Sequence, residues 1–363
     1  MKILYYSEDI PGEHTGFGNQ GEFLVDHWVR SGHEVTCIAP IKQGRPQIMR
    51  AFGALVLPGN PADVVNFVDI MGLGPDDKII FLTETWILQE YRQALEPILP
   101  RMIAIAVIDG HPLGQRDRAL WKSIGTVVTI SRFAYRELPK SVYIPHGVNT
   151  DFFTPMPPEE RWALRERCGL TPHDFVVGHV ASNQSLKGTC TAIKAVGLLK
   201  KEIGPEIKML LKTEMTLPLY EWAKMCGTEL ITWTTDVMTN IRRFYSIMDV
   251  HVLPSQGEAF GLVMAESQAC GVPNVATDYS GCKELIESYG ALIPVTLWQP
   301  CPDCNLPRAF VTAEDTAVAI DHLRLLPDNK KAINKRKTVE AMQQYSWKNV
   351  LAAWDALLEG KDM

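Results

Sequence analysis

Short apolar runs separated by longer amphipathic stretches set the rhythm of the chain. KILYYS (2–7) and EVTCIAP (34–40) read as buried strands, and GEFLVDHWVRSG between them carries its apolar residues at helical spacing. ALVLP (54–58), KIIFLT (78–83), MIAIAVID (102–109), TVVTIS (126–131) and SVYIP (141–145) continue the series. Buried strands punctuated by helices predict a parallel sheet covered on both faces. The Pro-rich stretch TPMPPEE (154–160) interrupts the pattern and reads as a linker. A second series follows: FVVGHV (175–180), IKMLLKT (207–213), LITWTT (230–235), VHVLPS (250–255) and PNVAT (273–277). The closing segment YSWKNVLAAWDALLEG puts Trp347, Val350, Leu351, Trp354 and Leu357 or Leu358 on one helical face. No period of about 20 to 50 residues marks a repeat architecture. The pattern predicts two doubly wound α/β domains with ligand sites at the carboxyl ends of their strands.

Length and composition agree with that picture and narrow the function. A chain of 363 residues exceeds what one hydrophobic core usually serves. Apolar residues make up 46% and charged residues 21%, as in ordinary globular proteins, and the net charge of −6 supplies no overall basic field for nucleic acid or anionic membrane. Glu8 and Asp9 interrupt the N-terminus before a signal-like core forms, and no apolar run approaches the roughly 20 residues of a membrane span. Eight scattered cysteines then predict reduced thiols and a cytoplasmic setting, with no integral membrane segment. Cys301-Pro-Asp-Cys304, with Cys282 as a third thiolate, invites a zinc reading, but a structural zinc normally takes four ligands and only one tight pair exists. Arg132, Arg136 and Lys140 share a face of SRFAYRELPK, either as a solvated stripe or as a contact for a phosphate-bearing acceptor.

GFGNQG, Gly16 to Gly21, spells G-x-G-x-x-G, the fingerprint of dinucleotide binding. Two contextual requirements fail. Eight residues, Glu8 to Thr15, separate the first strand from Gly16, and the second strand ends in Ala39-Pro40 with no carboxylate for a ribose. The glycines fit two other uses: a loop leading a helix N-terminus towards a phosphate or polyol, or a flexible surface loop.

The most informative stretch is VHVLPSQGEAFGLVMAESQACGVPNVAT, residues 250 to 277. It reads as strand, loop and helix, the helix closed by Gly271 and Pro273. Glu258 lies in the loop and Glu266 about two turns into the helix, so both carboxylates stand near the carboxyl end of one strand. Phe260, Gly261 and Leu262 place backbone donors at a helix N-terminus, where a diphosphate is stabilised.

This block, S-x-x-E-x-F-G-L-x-x-x-E-S-x-A-x-G-x-P, resembles the signature of the retaining GT-B glycosyltransferases, family 4 in particular. KILYYSEDIPGEHTGFG is similar to the family's first strand and glycine-rich loop, VYIPHGVNTDFF to its interdomain connector, VVGHVASNQSLKG to the phosphate-binding opening of its second domain, and YSWKNVLAAW to its returning helix. The resemblance implies two Rossmann-like domains facing a cleft. Residues 1–150 and the returning helix 345–363 would form the acceptor side, and residues 151–344 the donor side. It implies that Glu266 holds the ribose hydroxyls of a nucleoside diphosphate sugar, Glu258 the donor sugar, and Lys187 the diphosphate. Gly16 and Gly18 would border phosphates and sugar, and His111, in VIDGHPLG, would lie beside donor sugar and acceptor with Asp109 as its neighbour. His146 in PHGVN reads as a hinge residue.

One departure concerns the phosphates. The family commonly carries an arginine shortly before the lysine, whereas HVASNQSLKG has none. Asn183 with backbone donors, or Lys212 at the end of IKMLLKT, would have to compensate. The chain has no D-x-D, so neither a metal nor any cofactor is expected, and the nucleotide sugar, of UDP or GDP type, is a co-substrate. The resemblance implies retention of configuration by front-face attack on the sugar, the departing phosphate taking the acceptor's proton. The acceptor stays open among glycan, lipid, small molecule and nucleic-acid base. A sugar-nucleotide epimerase and a non-catalytic nucleotide-sugar binding protein are the alternatives.

Overall fold

The computed structural model describes residues 1–40, 42, 48–231, 240–286, 289–301 and 306–361. The chain divides into two compact units, one of Met1–Gly147 and Trp347–Met363, the other of Val148–Cys301 and Pro307–Ser346.

The first unit is built on β1 (Lys2–Ser7), β2 (Glu34–Ala39), β3 (Met49–Ala51), β4 (Ala54–Pro58), β5 (Lys78–Glu84), β6 (Met102–Val107), β7 (Thr126–Thr129) and β8 (Val142–Tyr143). They form one sheet in the order β3-β4-β2-β1-β5-β6-β7-β8, and only β3, which no apolar run announces, pairs antiparallel. Ile79, Ile80, Phe81 and Leu82 of β5 are fully buried, as an uninterrupted apolar run in a doubly covered sheet must be. Three strands of this unit are shorter than their apolar runs by two residues or more. β6 stops at Val107 instead of Asp109 because its partner β5 ends opposite, at Glu84, and the ladder has nothing left to pair with. β7 stops at Thr129, opposite Ala106, and β8 keeps only the two residues that pair with Val128 and Thr129.

Helix Trp347–Leu358 packs within the first unit against helix Gly16–Arg30. Trp347 stacks on Phe23 with centroids 4.5 Å apart, Trp354 meets Trp28 edge-on at 5.9 Å, and His27 Nε2 lies 2.8 Å from Asp355 Oδ1. Trp347, Val350, Trp354 and Leu358 are buried, while Leu351 and Leu357 are only partly so.

The second unit carries β9 (Phe175–Val180), β10 (Ile207–Lys212), β11 (Val250–Leu253), β12 (Asn274–Thr277) and β13 (Ala291–Ile293), all parallel, in the order β10-β9-β11-β12-β13. Of the run 230–235, residues 232–235 lie outside the described residues, and Leu230 forms a single bridge to Met209. The Pro-rich stretch opens a helix, Pro158–Arg167, with Pro158 at its first position, where the missing N–H costs nothing. After β13 comes a two-stranded antiparallel ribbon, β14 (Leu297–Pro300) and β15 (Pro307–Phe310), which the apolar pattern does not announce.

Two histidines knit the middle of this sheet. His251 Nε2 accepts the Val180 N–H at 3.3 Å, so Nδ1, 2.6 Å from Asn274 Oδ1, carries the proton. His179 Nδ1 donates to the Val252 carbonyl at 2.8 Å, leaving Nε2 to accept from Thr189 Oγ1 at 3.0 Å. Burial holds His251 down to about 3 and His179 to about 4, so both are neutral struts. Among the described residues no helix is long and apolar enough to cross a membrane.

Both sheets reverse their order of strand addition once, between β1 and β5 in the first unit and between β9 and β11 in the second. Loops at the carboxyl ends of such strand pairs diverge and leave room for a ligand.

Candidate functional site

At the switch point of the second unit, the loops after β9 and β11 are zipped together. Gln256 N donates to Leu186 O at 2.8 Å and Ser255 Oγ to the same carbonyl at 3.0 Å. Gly188 makes this approach feasible. Its φ is +68°, and a Cβ there would lie 2.1 Å from the Pro254 carbonyl oxygen. The zipper brings Lys187 Nζ to 2.7 Å from Glu258 Oε1, with side-chain exposures of 22% and 11%. Two residues 71 positions apart, expected to serve phosphate and sugar, thus form one ion pair across the switch point.

Glu258 is also held by its backbone. Its N–H donates to Ser280 Oγ at 2.9 Å, and its carbonyl accepts the Gly281 N–H at 2.8 Å. Three residues on, Gly261 adopts φ +95° and begins helix Leu262–Ala269, so the first-turn N–H groups of that helix open beside the ion-paired loop. Phe260 is buried and edge-on to Tyr345 at 5.4 Å, an anchor for the turn. Glu266 is the fifth residue of the helix, about one turn in instead of two, since 3.6 residues make a turn. Tyr245 OH donates to Glu266 Oε2 at 2.8 Å. Desolvation pushes the Glu266 carboxyl up to about 7, against the partial relief given by Tyr245. A carboxylate in that condition gains from further hydroxyl donors, which a ribose diol supplies.

The missing arginine leaves a site with one cation on the loop itself. Asn183 is exposed and tied to the loop after β10, its N–H donating to Glu214 Oε2 at 2.5 Å and its Nδ2 to Glu214 O at 3.1 Å. Lys212 ends β10 opposite Val180, and its carbonyl accepts the Ala181 N–H at 3.1 Å, so it stands on the edge from which the Lys187 loop departs. Tyr245 and Ser280 had no signal in the sequence, because each acts through a fold contact and belongs to no motif.

In the first unit the glycine fingerprint lies in the first turns of a helix. Thr15 caps it, accepting the Gly18 N–H at 3.0 Å while donating to Asp9 Oδ2 at 2.7 Å. A Cβ on Gly18 would lie 2.3 Å from Glu13 O, so Gly18 admits the folded-back loop 8–15; one on Gly21 would lie 3.3 Å from Tyr5 OH of β1, and Gly16 is exposed. Lys42 pairs with Asp9, and Glu8 Oε1 accepts Thr83 Oγ1 at 2.6 Å and Glu84 N at 2.7 Å, which ties the ends of β1 and β5. His111 is exposed and lies four residues past the end of β6, not at the strand end; its ring is edge-on to Phe133 at 5.5 Å, and Asp109 is partly buried. The Leu113 N–H and Arg118 Nη2 both donate to Glu137 Oε2, at 3.1 and 2.6 Å, and fix the loop that carries His111. His146 is buried, and desolvation lowers it to about 3.

Among the described residues no group of three or more His, Cys, Asp or Glu side chains could hold a metal ion. Cys282 is fully buried and Cys301 partly so, while Cys304 lies outside the described residues.

Residues 160–299, which carry the switch-point loops, match the family described as glycosyl transferases group 1. Over that stretch the chain is similar to the group 1 glycosyltransferases. Among its relatives, D-inositol 3-phosphate glycosyltransferase of Segniliparus rotundus is 23% identical over 274 residues, which make up 72% of this chain and 57% of that protein. The chain thus spans little more than half the length of that relative. Sucrose-phosphate synthase of Thermosynechococcus elongatus superposes with a TM-score of 0.73 over 99% of this chain and 98% of its own, at 17% identity. HepE of Anabaena, solved in complex with UDP-glucose, gives a TM-score of 0.68 over 98% of this chain and 99% of its own, also at 17% identity. The fold is the GT-B fold.

Proposed function

We propose that the protein transfers a sugar, with retention, from a nucleoside diphosphate sugar to a hydroxyl-bearing acceptor, without a metal. The observation that carries this reading is the assembly of Lys187, Glu258, the N-terminus of helix Leu262–Ala269 and Glu266 around one switch point. The four features match the parts of a nucleotide sugar in order. Glu266 takes the ribose hydroxyls, the helix N-terminus and Lys187 take the diphosphate, and Glu258 takes the sugar hydroxyls. Lys212, at the end of β10 opposite Val180, serves in this reading as the second cation. HepE, of the same fold, was solved with UDP-glucose, which favours UDP as the base-bearing half.

Chemically, the C1–O bond to the diphosphate breaks while the acceptor oxygen bonds to C1 on the same face. The acceptor's proton passes to the departing phosphate oxygen. The protein's contribution is positioning and neutralisation of the charge developing on the leaving group. Donor binding requires Lys187 to turn from Glu258 towards phosphate, which frees Glu258 for the sugar. His111 of the first unit acts in the transfer step and takes no part in holding the nucleotide. The acceptor is any hydroxyl compound that the first unit selects.

The test is release of nucleoside diphosphate from UDP-glucose, UDP-N-acetylglucosamine and GDP-mannose in the presence of EDTA, with and without a panel of hydroxyl acceptors. Acceptor-stimulated release insensitive to EDTA, with the product in the donor's anomeric configuration, is the expected result. Release that requires added metal, or an inverted product, contradicts the mechanism. Release without an acceptor and with an altered sugar points to the epimerase.

A further inference from the structure

Ser280 stands at φ +53°, in the left-handed region that glycine enters freely and serine does not. Strain of this kind persists only where the surroundings hold it, and it concentrates where geometry serves function. Here the surroundings are those of the sugar-binding glutamate. Ser280 is buried at 4% exposure, and its Oγ accepts the backbone N–H of Glu258 at 2.9 Å. The next residue, Gly281, donates its N–H to the Glu258 carbonyl at 2.8 Å. A Cβ on Gly281 would lie 2.8 Å from that carbonyl and 2.7 Å from the Ala259 carbonyl, so the two segments are in backbone contact.

The grip is rigidly mounted. Asp278 N donates to Ile293 O at 2.9 Å, which fixes the Ser280 loop to β13. Gln268 Nε2 donates to Leu285 O at 3.0 Å, which fixes helix Ser280–Ile286 to the helix that carries Glu266. A glycine at 280 would satisfy the backbone without strain but would leave the Glu258 N–H without the hydroxyl that receives it.

We infer that Ser280 is a positioning residue for donor cleavage: its strained backbone aims Oγ at the Glu258 N–H and so fixes where the Glu258 carboxylate meets the donor sugar. The inference rests on the transferase reading above. It adds a residue that touches neither nucleotide nor Lys187 and acts only through Glu258. A displacement of about 1 Å in a reacting constellation costs on the order of a hundredfold in rate.

Two variants test it, Ser280→Ala, which keeps a side chain at the strained position, and Ser280→Gly, which relieves the strain. The donor is whichever nucleotide sugar the wild-type protein cleaves in the screen above, and kcat, the UDP dissociation constant and the melting temperature are measured on each preparation. Both variants are expected to lose at least about tenfold in kcat while binding UDP within about twofold of wild type. Ser280→Gly is expected to melt above Ser280→Ala, since only it escapes the backbone penalty. Wild-type kcat in Ser280→Gly, or loss of UDP binding in proportion to kcat, overturns the inference while leaving the transferase reading intact. A wild-type protein that cleaves no nucleotide sugar overturns both. If Ser280→Ala does not fold, Ser280→Gly alone decides.

Discussion

Glu266 sits where a ligand's requirements and the free protein's stability pull against each other. Desolvation raises its carboxyl to about 7, from 4.5 for the unperturbed group. The folded protein therefore keeps a proton that the unfolded chain releases between those values. Its contribution to stability is complete below about pH 4.5 and is lost as the pH rises through 7. Binding has the opposite sign. A ribose diol donates two hydrogen bonds, which the ionised carboxylate receives better than the acid, so UDP affinity is expected to climb between about pH 6 and 8. Glu266→Gln removes that component, and subtracting its profile cancels the titration of the diphosphate itself. Tyr245→Phe takes away the donor that lowers the Glu266 pKa and shifts the rise to higher pH. Calorimetric titrations of UDP across this range check both expectations. A wild-type profile that parallels Glu266→Gln contradicts the assignment.

The strand–loop–helix element after β11 was legible as a unit, because its apolar run, its glycines and its helix terminator are all local signals. The partner that completes it was not. Lys187 lies 71 positions from Glu258, and nothing in either segment announces the 2.7 Å pair that the sheet order creates. Gly188 shows the same limit: its necessity comes from the Pro254 carbonyl, a neighbour only in the fold. The residue also provides a measurable contrast. Gly188→Ala meets that carbonyl at 2.1 Å besides adopting φ +68°, whereas Gly227→Ala at φ +70° meets nothing within 4 Å. Gly227→Ala is expected to cost about 1 kcal/mol for backbone conformation alone, and Gly188→Ala about 2–4 kcal/mol with loss of UDP binding. Equal destabilisation by urea unfolding would mean that the loops are not held as described. The fingerprint at 16–21 was legible for what it is not. Its failure as a dinucleotide motif followed from spacing and the missing carboxylate, while the use of Gly18, admitting the folded-back loop 8–15, depends on Glu13 O and had no signal. β3 and the ribbon β14–β15 went unread because three- and four-residue strands with mixed polarity carry no periodicity.

Across the molecule, the two sheets and their mostly parallel strands follow from patterns that repeat along the chain, whereas the packing of helix Trp347–Leu358 in the first unit was implied only by the family resemblance. Which unit holds the nucleotide does not follow from pattern, since both have a switch point. Chemistry separates them. The first unit's switch loop carries Glu8, Asp9 and Glu13 against Lys42, while the second presents a lysine, a helix N-terminus and a carboxylate ready for hydroxyl donors. We therefore propose that the second unit binds the nucleotide, without metal, through Glu266. The deciding measurement is titration calorimetry with UDP in EDTA on wild type, Glu266→Ala and His111→Ala. One site is expected in the wild type, with about ten- to a hundredfold weaker binding in Glu266→Ala and binding within about twofold of wild type in His111→Ala. Unchanged affinity in Glu266→Ala, or wild-type binding abolished by EDTA, would contradict it.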